Sequence, residues 1–202
     1  MGAIKRVTIF GYAEAKEGEE LFENTRETAK LLAEAGYTIV NGGGPGVMRA
    51  ASLGAHEGEG KAIGVTFYPK DSMQFEGRDP ENPIDEEIVT PDYVQRTLKL
   101  MELGQIFMVF NGGLGTLGEF GMAWGLARLY LGHHKPLVLY GKFWETIVGT
   151  IDDHLYLRPW DKSVITVVET PQEALRAVQT TDKQETTKDE SQKKKDQGPF
   201  NL

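Results

Sequence analysis

Apolar and polar positions along the chain fall into two alternating rhythms. Short runs rich in branched and aromatic residues, at 5–10, 37–40, 61–67, 87–90, 106–110, 136–140 and 163–168, read as strands. Between them lie segments whose apolar residues recur three and four apart, which predict helices over 19–36, 47–57, 91–103, 143–154 and 171–178, and one that opens near Thr116, which can cap its first turn. Gly36 follows the first of these at the place of a C-terminal cap, and Pro91 sits where a first-turn proline belongs. The run 106–110, IFMVF, is apolar at every position, as expected of a strand covered on both faces. Strands alternating with helices through short crossovers predict an α/β fold: one domain over 1–180, with a mostly parallel sheet and helices on both faces. Beyond Thr181 the chain has no periodicity, so 181–202 reads as a disordered polar tail.

Two strands run directly into glycine turns that open helices. The first turn is Asn41, Gly42, Gly43, Gly44, Pro45, Gly46, and the second is Asn111, Gly112, Gly113, Leu114, Gly115, Thr116. A strand, a glycine turn and a helix N-terminus together aim backbone N–H groups and the positive end of a helix dipole at one spot, where a phosphate is the natural guest. In an open α/β sheet that spot lies at the carboxyl edge of the strands. Neither turn continues into Gly-Lys-Ser/Thr, and neither fits G-x-G-x-x-G with an acid about 20 residues on, which disfavours a P-loop enzyme and a dinucleotide-dependent dehydrogenase. Glu119 is out of place beside a phosphate, so it is expected to face a neutral part of the ligand such as a ribose. Arg96 and Lys99 lie three apart and project from neighbouring parts of one helix face. The connection 68–85, with three prolines and mixed charge, is long enough to be functional or mobile.

Composition narrows the partners. The chain of 202 residues carries a formal charge of −8, and its last 22 residues balance five lysines against five acids, so the acidic excess belongs to the folded part. Such a surface argues against nonspecific nucleic-acid binding. The absence of cysteine fits a reducing compartment, no apolar run approaches the ~20 residues of a membrane span, and no signal pattern precedes the first strand. A cytoplasmic protein without membrane contact is expected. His133 and His134 have no third ligand at metal spacing, and together with His56 and His154 they read as surface residues. Trp124, Leu126, Leu129 and Tyr130 read as core or subunit-contact residues, and the short lysine cluster 193–195 as solvated.

GGGPGVM at 42–48, GGLGTLGE at 112–119 and an arginine fifteen residues before the second turn together resemble the Lonely Guy family, long mislabelled as lysine decarboxylases, whose hallmark is P-G-G-x-G-T-x-x-E. The likeness spans about residues 6–178. It implies a Rossmann-like fold, a homodimer or larger assembly with the active site near the subunit interface, no cofactor and no metal. The implied activity is phosphoribohydrolase: cleavage of the N-glycosidic bond of a purine nucleoside 5′-monophosphate, AMP or an N6-modified cytokinin-type AMP, to free base and ribose 5-phosphate. Carried over by position, Arg96 and Glu119 are the catalytic pair. Asn111, Gly112, Gly113, Gly115 and Thr116 hold the phosphate, and Gly43, Gly44 and Gly46 line the same pocket. Three residues depart from the pattern: Asn111 replaces its proline, Thr97 replaces the lysine common after the arginine, and Tyr12 occupies a turn where serine is usual. The alternative is a carrier or sensor of a phosphorylated ligand without turnover, since molybdenum-cofactor carriers resemble this fold. A pyridoxal-dependent decarboxylase is disfavoured, because no lysine adjoins either turn.

Overall fold

The computed structural model describes residues 3–69, 77–129 and 136–196; Tyr130, His133, His134 and part of the 68–85 connection lie outside the described residues. Seven strands, β1 (Arg6–Phe10), β2 (Thr38–Asn41), β3 (Ala62–Phe67), β4 (Glu86–Thr90), β5 (Ile106–Val109), β6 (Leu137–Tyr140) and β7 (Ile165–Val168), form one sheet. Their order is β4-β3-β2-β1-β5-β6-β7 and every pairing is parallel. Five helices connect them, α1 (Glu20–Glu34), α2 (Val47–Glu57), α3 (Tyr93–Leu103), α4 (Leu114–Leu129) and α5 (Phe143–His154), and α6 (Pro171–Asp196) follows β7. The chain winds outward from β1 to β4, then returns to lay β5 on the other side of β1. That reversal opens a crevice between the ends of β1 and β5.

Strand alternation sorts the core into two layers. Val7, Ile9, Ile39, Ile106, Met108 and Phe110 pack with Phe22, Leu32, Ala51 and Val178 of α1, α2 and α6. Phe10, Val40, Phe107, Val109 and Leu139 pack with Leu100, Phe120, Trp124 and Trp144 of α3, α4 and α5 on the opposite face. Residues 106–110 therefore feed both layers and are fully covered, as the unbroken apolar run predicts.

Three boundaries differ from expectation. Helix α3 begins at Tyr93, because the Asp92 carboxylate accepts from the Gln95 N–H at 2.8 Å and caps it one residue beyond Pro91. Helix α4 begins at Leu114, with Leu117 N–H donating to Gly113 O at 3.0 Å, so Thr116 lies inside the first turn and does not cap it. Helix α6 does not stop at Val178. It runs to Asp196, which corrects the reading of 181–196 as disordered tail; residues 197–202 lie outside the described residues. Between Gln172 and Asp196 there is neither glycine nor proline. Residues just before β1 and β2 also grip the extension: Ile4 N–H donates to Asp182 Oδ1 at 2.8 Å, Ala3 N–H to Thr186 Oγ1 at 3.1 Å, and the Tyr37 hydroxyl to Asp182 Oδ2 at 3.2 Å.

Candidate active site

Three turns meet at the β1–β5 crevice. Tyr12, just past β1, is the stitch: its N–H donates to Asn111 O of the second glycine turn at 3.0 Å, and its carbonyl accepts from Val47 N–H, at the end of the first turn, at 2.9 Å. Gly46 must be glycine to make this junction, since its φ is 63° and a Cβ there would lie 2.4 Å from Tyr12 O. The result is a cleft of about 200 Å³ whose lining includes Gly11, Tyr12, Gly42, Met48, Tyr93, Arg96, Gly113, Gly115, Thr116 and Glu119.

Arg96, only 5% exposed, is locked under this cleft by three elements. Its Nε donates to Val65 O of β3 at 3.0 Å and its Nη2 to Gly42 O of the first turn at 3.2 Å, with Met48 Sδ at 3.6 Å beyond. Its Nη1 stands 3.5 Å from Glu119 Oε1. Glu119, 8% exposed, projects from the second turn of α4 into the same cleft. Burial pushes its carboxyl up to about 7, a rise that the neighbouring guanidinium partly offsets. A carboxyl so placed exchanges its proton near neutral pH, within reach of a helix N-terminus whose first N–H groups, at Leu114, Gly115 and Thr116, have no carbonyl a turn earlier to bond.

The structure gathers the candidate residues unevenly. Arg96, Glu119, Gly113, Gly115 and Thr116 line the cleft together. Asn111 and Gly112 are exposed at its edge; Gly112 leaves room for Thr116, whose Oγ1 would lie 2.2 Å from a Cβ there. Gly43, Gly44 and Gly46 lie behind the lining in packing roles. A Cβ on Gly43 would meet Thr66, and one on Gly44 would meet Met48. The carbonyls of Gly43 and Gly44 accept from Asp79 N–H at 3.0 Å and Asn82 Nδ2 at 2.7 Å, so the far end of the 68–85 connection buttresses this turn. Asn41 Oδ1 accepts from Gly43 N–H at 2.8 Å and fixes it from the other side.

Lys99 does not replace the cation missing at Thr97. Its ammonium is held by both oxygens of Glu102 at 2.9 Å, while the Thr97 hydroxyl donates to Tyr93 O at 3.0 Å. Gly42, Met48 and Tyr93 are site residues that sequence reasoning passed over. Gly42 is distinguished only by its place directly after the end of β2, and Met48 and Tyr93 carry no chemical signature. Among the described residues no cluster of three or more His, Asp or Glu could hold a metal ion, and no helix is long and apolar enough to cross a membrane.

A cytokinin riboside 5′-monophosphate phosphoribohydrolase from Mycobacterium tuberculosis is 34% identical, over 78% of this chain and 85% of that protein. Among solved structures, a molybdenum cofactor binding protein from Rippkaea orientalis superposes with a TM-score of 0.67 at 20% identity, covering 88% of this chain and 97% of that one. The molybdenum cofactor carrier protein of Chlamydomonas reinhardtii gives 0.62 at 22% identity, with coverage of 88% and 97%. At such identities these two likenesses speak to the fold alone. The sequence model of the SLOG cluster4 family matches residues 4–194, through the cleft and the extended α6 alike, and with the mycobacterial relative it bears out the Lonely Guy resemblance: the chain belongs to the SLOG cluster4 family.

Proposed function

We propose that the protein is a cytoplasmic phosphoribohydrolase that cleaves the N-glycosidic bond of a purine nucleoside 5′-monophosphate, AMP or its N6-modified cytokinin form. The observation that carries this is the pairing of a buried carboxylate with a buried arginine beside an open helix N-terminus. A phosphate seated on the N–H groups of Leu114, Gly115 and Thr116 places the ribose over Glu119, one turn further on. Water then adds to C1′ as the bond from C1′ to the base nitrogen breaks. The bond's electron pair leaves with the base, which takes up a proton, and the sugar keeps the water's hydroxyl. Positive charge grows on the ribose ring in between, and the Glu119 carboxylate stabilises it while orienting the attacking water. Arg96 acts as a positioning residue: two of its three nitrogens are held by main-chain carbonyls, and the third faces Glu119.

The working form is a homo-oligomer. At about 200 Å³ the cleft is smaller than the ~300–1,000 Å³ typical of ligand pockets. The exposed apolar side chains of α4 begin at its rim, so a second copy completes the wall. Incubation with AMP, N6-substituted AMP and other purine monophosphates tests the activity through release of free base. No base from any of them rejects it. A carrier of phosphorylated ligands, the alternative, would bind without turnover and behave alike in wild type and Glu119→Gln.

A further inference from the structure

We infer that the Tyr93 hydroxyl is a ligand-binding donor that completes the phosphate seat and sets the site's preference for a 5′-phosphorylated sugar. The inference rests on the proposed reaction and deepens it. Tyr93 opens α3 one turn before Arg96 and lines the same cleft as Gly113, Gly115 and Thr116. Its ring packs edge-on against Phe67 at the end of β3, with centroids 6.0 Å apart and planes at 70°, so it is braced from the sheet. Its hydroxyl lies 3.5 Å from where a Cβ on Gly115 would sit, over the turn that presents the first N–H groups of α4.

Charge makes this donor necessary. A nucleoside monophosphate brings a phosphate dianion close to Glu119, and Arg96 is the one cation lining the cleft among the described residues. Its nitrogens are already engaged with Val65, Gly42 and Glu119. Thr97 and Lys99 are turned to Tyr93 O and Glu102. The phosphate is thus held by neutral donors: main-chain N–H groups, the Thr116 hydroxyl and the Tyr93 phenol. Burial, and next to it the charge of Glu119, hold the Tyr93 phenol above its usual range, so it keeps its proton and donates at neutral pH. A neutral phenol also adds no charge that would draw Glu119 away from the ribose.

The test is Tyr93→Phe, which keeps the ring and its contact with Phe67. Ribose 5-phosphate and adenosine are titrated calorimetrically into wild type and variant, and AMP hydrolysis is followed in parallel. Loss of one hydrogen bond to a charged acceptor predicts ribose 5-phosphate binding weaker by roughly tenfold to a hundredfold, with adenosine affinity unchanged. The KM for AMP rises by the same factor while kcat stays within about twofold, a split that a merely structural role would not produce. Unchanged ribose 5-phosphate affinity overturns the inference, and so does an equal loss for adenosine. If wild type binds ribose 5-phosphate in a Tyr93-dependent way yet releases no base, the hydrolase proposal falls and the phosphate seat stands. If wild type hydrolyses AMP and Tyr93→Phe matches it, the seat falls alone. A wild type that binds no ribose 5-phosphate ends both.

Discussion

At the scale of single residues, Glu119 ties chemistry to stability through one proton. Its folded-state pKa of about 7 lies above the ordinary carboxylate value, so the folded protein binds this proton more tightly than the unfolded chain does. The contribution is therefore fully present below the unfolded value near 4.5 and is lost as pH rises towards 7. In the proposed reaction hydrolysis uses the carboxylate, so it should gain rate over the upper part of that same range. Glu119→Gln should abolish base release at all pH values. Its melting temperature relative to wild type should be higher at pH 8 than at pH 5, by the equivalent of at most about 3 kcal/mol at 1.36 kcal/mol per pKa unit. Equal differences at the two pH values would show that Glu119 titrates normally. Gly42 carries a second prediction. A Cβ there would lie 1.6 Å from Arg96 Nη2 and 2.7 Å from Met48 Sδ, so Gly42→Ala must push the guanidinium off its carbonyl anchors. Base release should fall by about a hundredfold, on the scale of losing one catalytic proton-transfer or charge-stabilising group, while circular dichroism is unchanged.

At the scale of elements, the central strands were legible because both their faces are covered and each announces itself as an apolar run, as 106–110 does; the edge strand β4, exposed or half-buried along its length, showed only as the short run 87–90. Helix ends were less so. Thr116 looked like a cap in isolation, yet the helix starts where Gly113 O first accepts from Leu117 N–H, a choice made by backbone geometry. Glycine density at 42–46 suggested one ligand-lining loop. The structure divides those glycines among Arg96, Met48, Thr66 and Tyr12, and sequence spacing says nothing about which neighbour each must clear. Arg96 and Glu119 were legible through the family pattern, since nothing in their spacing of 23 brings an arginine over a carboxylate. The extension of α6 escaped detection because its partners Ala3, Ile4 and Tyr37 lie about 145–183 residues away. That clasp is testable. Asp182→Ala strips the acceptor from both Ile4 N–H and the Tyr37 hydroxyl, and thermal unfolding should report a loss of about 1–3 kcal/mol. An unchanged melting temperature would mean that the extension adds nothing to the fold.

At the scale of the whole molecule, α4 poses a problem that one protomer does not solve. Besides Glu119 it presents Leu114 at 86% exposure and Leu129 at 67%, with Leu117 and Met122 also exposed between them. Along the same exposed face run Gly118, Gly121 and Gly125, and a Cβ on any of the three would meet nothing within 4 Å inside the protomer. A glycine inside a helix costs roughly 0.5–1 kcal/mol relative to alanine, so three without an internal use imply a close approach from outside. A second copy meeting this face would bury the leucines and, since the cleft opens at Leu114, cover the undersized pocket with the same contact. Gly121→Arg tests this cleanly: the side chain has room in the protomer but blocks a packed helix, and it touches no cleft residue. Light scattering at micromolar concentration should show wild type as a dimer or larger and the variant as a folded monomer with base release lost. A monomeric wild type, or an active monomeric Gly121→Arg, would mean that the site is complete within one chain and that the apolar face of α4 serves something other than self-association.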